Sequence, residues 1–134
     1  VHPSTGDAFW LILPTVNTEV MSLSLRLFAE EVGAGPGNRV VLVLDGAGWH
    51  KSKDLEVPDG IHLVFLPPNS PELQPAERLW PLLNEVVANR SFESLDDLED
   101  VLVDRCNELD KQPEVLKGLA NYHWWPMTTV DYRA

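Results

Sequence analysis

The chain is 134 residues long, enough for one domain with a single core and short for two. Its hydrophobic share of 44% and charged share of 23% are globular values and exclude a disordered chain. Lys and Arg number 10 against 21 Asp and Glu, for a net charge of -11; this argues against a domain that grips DNA unaided, because phosphate neutralisation supplies most of that affinity.

No apolar run reaches the roughly eighteen residues of a membrane span, and no signal segment opens the chain. Cys106 is the one cysteine, so an internal disulfide and a paired-cysteine metal site are both excluded. A reducing, cytoplasmic setting fits. The sequence opens on Val1 and runs at once into His2-Pro3-Ser4-Thr5-Gly6. It reads as one domain over 1–134, N-terminally truncated from something longer.

Pro3-Ser4-Thr5-Gly6 is turn chemistry, and the apolar run Ala8 to Leu13 after it predicts a strand buried on both faces. Asn17 or Thr18 can cap a helix to Val32, with Met21, Leu25, Phe28 and Val32 at helical spacing and Gly33 as the stop. Val40 to Leu44 is a continuous apolar run rich in valine, which marks a central parallel strand. Ile61 to Leu66 predicts another strand, entered through Pro58-Asp59-Gly60.

The second half reads as helical. Pro75 suits the first position of a helix bearing Glu77, with Leu79, Leu83 and Val86 or Val87 along its face. Pro81 lacks the N–H that would bond Glu77, so a kink or a start one turn later is expected. Ser94-Leu95-Asp96-Asp97 resembles a capping box, opening a helix whose buried stripe is Leu95, Leu98, Leu102, Cys106 and Leu109. Glu93, Asp96, Asp97, Glu99, Asp100, Asp104, Glu108 and Asp110 crowd that segment. A solvated face is the plainer account of them than an acidic docking surface. Tyr122-His123-Trp124-Trp125-Pro126 is expected to return to the core. Strands alternating with helices predict an α/β fold with parallel pairing, whose functional crevice lies at the carboxyl ends of the strands.

Asp45 stands at such an end, after five apolar residues and before Gly46. From spacing alone, an Asp that merely opens a turn is the commoner case. Glu77 alone is weaker, because helix starts favour Glu electrostatically, and Glu72 competes with it. Together, a strand-end Asp and a loop-delivered Glu predict two carboxylates at one point, the arrangement divalent metals use in phosphodiester chemistry. His50 can ligate, steer a phosphate or simply brace the loop. Lys51 and Lys53 form a small positive cluster beside it. Gly46 and Gly48 lack the spacing of a nucleotide loop.

Leu42-Val43-Leu44-Asp45-Gly46-Ala47-Gly48-Trp49-His50-Lys51-Ser52 resembles the "DNAxxHKS" block of DDE-type transposases. Leu66 to Trp80 (LPPNSPELQPAERLW) resembles their "LPPYSPELNPIExxW" block. The two blocks stand in the family's order, and the relatives in view are bacterial insertion-sequence transposases akin to the mariner group. The resemblance implies a ribonuclease-H-like fold, a mixed sheet flanked by helices, lacking its first strands here. It implies metal-dependent DNA cleavage and strand transfer with Mg2+ or Mn2+. Asp45 matches the second Asp of the triad and Glu77 its Glu, both as catalytic and metal-holding residues, while His50, Lys51 and Lys53 would meet DNA. Gly46 and Gln74 replace usual asparagines. The family's first Asp lies upstream of the hairpin, and no residue here matches it. Implied partners are double-stranded DNA at element ends, through the full-length protein, and a second copy in a homodimer. The implied place is the bacterial cytoplasm, on the nucleoid when bound to DNA. A non-catalytic remnant or regulatory fragment acting through protein contacts is the alternative.

Overall fold

The computed structural model describes residues 1–46 and 53–121. The chain forms two compact units, one joining Val1–Ile12 to the chain from Pro75 onward, the other running Leu13–Gln74.

The Leu13–Gln74 unit holds helix α1 (Thr18–Val32) and strands β1 (Val40–Leu44) and β2 (Ile61–Phe65). Asn17 caps α1 as expected. Its backbone is extended, and its side-chain oxygen accepts the Val20 N–H at 2.8 Å, meeting one donor that a helix start leaves unpaired. Gly33 ends the helix in the left-handed region at φ 68, where a side chain would be strained. Strands β1 and β2 pair in parallel, Val40 opposite Ile61 through Leu44 opposite Phe65. The Leu66 N–H continues the ladder to the Leu44 carbonyl at 2.8 Å. Leu25, Ala29, Leu44 and Ile61 are its buried apolar residues, while Val41 and Val64 on the other face of the sheet stay exposed. Gly60, at φ 87, lies against the Gly35 backbone with no room for a Cβ.

In the other unit the expected strand over Ala8 to Leu13 does not form. The only strand ladder among the described residues is β1 with β2. An apolar run reports burial, but a strand also needs a partner edge for its backbone groups. Here side chains hold the segment instead. Ala8 and Trp10 pack against a cluster of Leu79, Leu109 and Leu116, and the Trp10 Nε1–H donates to Asp110 Oδ1 at 2.8 Å.

Helix α2 (Trp80–Asn84) starts beyond Glu77, because Pro81 fits only a first turn, where its missing N–H costs no bond. It ends at Asn84, so Val86 and Val87 lie in turns rather than along a helix face. Ser94 caps helix α3 (Leu95–Asp110), its Oγ accepting the Asp97 N–H at 3.2 Å. Cys106 and Leu109 are buried there, but Leu95, in the first turn, is 81% exposed and does not join the buried stripe. Arg105 joins α2 to α3, donating to the Leu82 carbonyl at 2.9 Å, Glu85 at 2.8 Å and Glu108 at 3.0 Å. Helix α4 (Pro113–Ala120) buries Leu116 and Ala120 completely. The turn at Gly6, φ 80, sits so close to the Pro113 carbonyl that a Cβ would collide with it. The tail from Tyr122 onward lies outside the described residues.

Candidate active site

Asp45 is the first residue past β1, at the carboxyl end of a parallel strand, and is exposed. The strand presents it because the apolar run that buries Leu44 stops there. The bond from Leu66 to the Leu44 carbonyl fixes both strand ends beside it.

From Leu66 the chain enters the proline block. Asn69 takes a left-handed backbone, φ 56, which an Asn tolerates better than most residues. The Ser70 hydroxyl donates to the Pro68 carbonyl at 3.2 Å. A 3-10 turn, Pro71–Leu73, comes next, closed by Leu73 and Gln74 N–H bonds to Ser70 and Pro71. Glu72 is exposed within it.

A second 3-10 turn, Pro75–Leu79, carries Glu77. Its two ends, Pro75 and Leu79, are buried, and Leu79 packs on Leu109 and Leu116. Glu77 between them is exposed. Anchored ends and an exposed centre hold one carboxylate on a rigid mount. Helix α4 contributes the main packing surface for this turn, and the sequence reading missed it. Pro113 followed by Glu114, with Leu116, Leu119 and Ala120 behind, is the start-and-stripe signal that would have found it.

Lys53 lies in an exposed turn. His50 and Lys51 lie outside the described residues. Among the described residues no three His, Cys, Asp or Glu side chains group as a metal site. Asp45 and Glu77 belong to different units. The unit carrying Glu77 also has an open cleft of about 320 Å3, lined by Phe9, Trp10, Trp80, Leu83, Leu102 and Cys106 among others. No carboxylate lines it, so it offers a hard cation nothing. Burial pushes the Cys106 thiol up, and the Asp110 carboxylate adds to the effect. That thiol is a packing group rather than a nucleophile.

No described helix is long and apolar enough to cross a membrane. No solved structure matches the chain. An uncharacterized protein, y4pE/y4sA of Sinorhizobium fredii (strain NBRC 101917 / NGR234), is 38% identical over 125 residues, spanning 92% of this chain and 91% of that protein. The family model for the DDE superfamily endonucleases matches residues 1–99, a span that holds the β1 end with Asp45 and the braced turn with Glu77. On that match the chain belongs to the DDE superfamily endonucleases.

Proposed function

We propose that this chain is the catalytic portion of a transposase, acting on the ends of a mobile DNA element by divalent-metal-dependent strand cleavage and strand transfer. Family membership carries the reading, because the matched span includes both candidate carboxylates. In this reading the chain is a single ribonuclease-H-like domain, related to bacterial insertion-sequence transposases of the mariner group. The strand-end position of Asp45 and the anchored turn under Glu77 support it.

The donor set suits Mg2+ or Mn2+. Both groups are exposed carboxylates, and hard cations of this size take oxygen ligands while keeping several waters. A bound pair of ions would activate the attacking hydroxyl and offset charge on the leaving oxygen. In this reading Asp45 and Glu77 each supply carboxylate oxygens to the ions. Lys53, with His50 and Lys51, meets the phosphate backbone of the DNA. Two carboxylates alone hold metal weakly, so the isolated 134-residue chain cleaves little.

The test is cleavage of a duplex carrying the element's own ends, with Mg2+ or Mn2+. A protein extended upstream to supply the first Asp should cut, and Asp45→Asn or Glu77→Gln should return it to baseline. Each substitution keeps shape and removes the charge that metal binding needs. Robust cleavage surviving Asp45→Asn would sink the site assignment. Inactivity of the extended protein would favour a fragment acting through protein contacts.

A further inference from the structure

The segment Ala8 to Ile12 is patterned like a strand but has no strand beside it. Ala8 and Trp10, two positions apart, both pack on the cluster of Leu79, Leu109 and Leu116, while Leu11 is 39% exposed. That is the two-residue period of a strand with one buried face. Among the described residues, no backbone N–H or carbonyl of Ala8, Trp10, Leu11 or Ile12 makes a hydrogen bond. A row of free donors and acceptors on an apolar segment is a template for another strand. The open cleft of about 320 Å3 lies against the same segment, lined by Leu11 and Ile12 together with Trp80, Leu102 and Cys106. Its apolar surface continues outward. Leu95, Leu102 and Cys106 fall on one side of α3, and Leu95 carries that stripe beyond what the core covers. Glu99, one turn before Leu102, and Asp110, one turn after Cys106, stand along this side, and both are exposed.

We propose that Ala8 to Ile12 and this cleft receive an extended segment of another polypeptide, apolar at alternate positions and flanked by lysine or arginine. The incoming segment adds a strand to the free edge and seats its apolar side chains in the cleft. Strand addition draws affinity from main-chain hydrogen bonds and specificity from pockets for alternate side chains, and both parts are present here. Charge selects the occupant. The cleft lining holds no charged residue, while Glu99 and Asp110 border it. Basic flanks therefore meet opposite charge at the rim while the apolar residues between them leave water. A second copy of this chain is a poor occupant, because each copy brings a net charge of -11 and the same acidic border. A strand has two edges, so a neighbour on one leaves the other open.

The paired edge is short, so the complex belongs to the small-interface, reversible class. Its electrostatic part weakens as salt rises, because the border acids are exposed. This docking is independent of the transposase reading, and the failure of either leaves the other standing.

The probe is a short fluorescent peptide alternating valine and threonine, with a pair of lysines at each end. It is titrated with the full 134-residue chain and read by anisotropy, with circular dichroism to confirm folding of each variant. Saturable binding that weakens with added salt is expected. Methylating the central amide nitrogens of the peptide should weaken it roughly tenfold or more, since that removes hydrogen-bond donors and leaves the side chains alone. Glutamates in place of the lysines should abolish it. L11K should weaken binding roughly fivefold by setting a cation on the edge that the basic peptide approaches. E99K, an exposed change that leaves the packing alone, should weaken it roughly threefold and keeps the test decisive if L11K does not fold. Methylated peptide bound as tightly as the unmodified one would overturn strand addition. Glutamate flanks bound as well as lysine flanks would overturn the charge selection, and no binding at high micromolar chain would overturn the site. Sedimentation showing dimers of the chain alone that L11K abolishes would give the cleft to a second copy instead.

Discussion

Leu116 has no exposed surface and touches Leu79 and Leu109, so its side chain is where the unit carrying Glu77 is tightest. Leu116→Ala should cost about 2–5 kcal/mol, the range for a large-to-small change that leaves a cavity. The denaturant midpoint should fall with little change in slope, and an unmoved midpoint would contradict the packing. Since Leu79 ends the turn under Glu77, the same change should also loosen that carboxylate. Cys106 makes a second prediction. With its thiol held protonated by burial and by Asp110, the native chain should react slowly with a disulfide reagent at mildly alkaline pH. Unfolding should release the reaction, and Asp110→Asn should speed it modestly in the native state. Fast native labelling would show that the site opens. Asp45 was legible as a strand-end residue because an uninterrupted apolar run has a visible end. Leu95 was misread because spacing shows which residues share a stripe, not how far along the helix the core extends.

Helix α1 was legible from cap to stop, since Asn17 and Gly33 act through local backbone chemistry that needs no tertiary context. Asn17→Ala should therefore destabilise the chain by about 0.5–2 kcal/mol, read from thermal or denaturant unfolding. A loss below the error of the measurement would mean that packing, not the cap, holds the helix start. The β1–β2 pair was legible for a different reason: two short apolar runs, joined by a connection too long for a tight hairpin, favour parallel neighbours. The segment Ala8 to Leu13 failed on the same logic. Its composition is that of a strand, but pairing is a property of two segments, and one segment's sequence cannot supply the other. Pro81 was read correctly as an obstacle, and the structure resolves it by placing a 3-10 turn before a short helix. Helix α4 is only eight residues long, so its proline start and Glu114, more than its brief apolar stripe, are the signal that marks it.

For the molecule as a whole, the net charge of -11 predicts poor binding of the isolated chain to duplex DNA at physiological salt. A mobility-shift titration checks this, and tight, salt-sensitive binding would reveal a local basic surface strong enough to outweigh the acid residues of α3. The motif blocks made the family legible, because a strand-end Asp followed by a long proline-rich run into Glu77 is a specific pattern, and the family match spans both. The division into two units was not legible. Nothing in composition changes where Gln74 gives way to Pro75, and the division depends on which segments touch.

The interleaved layout of those units bears on the order in which the chain organises itself. The segment Leu13–Gln74 is continuous, so its contacts close over short loops and can form early. The other unit begins at Val1 and is completed only after residue 75, and its bond from Trp10 to Asp110 spans 100 positions. During synthesis residues 1–12 therefore leave the ribosome ahead of the helices that bury them. They must wait through the folding of the intervening segment, with Phe9, Trp10 and Ile12 open to chaperones and to other nascent chains. The late step is entropically costly and the early one is not, so amides around Trp10 should gain protection after those of β1 and β2 in pulse-labelled hydrogen exchange. Between those two events the apolar side chains of that segment stand without their packing partners.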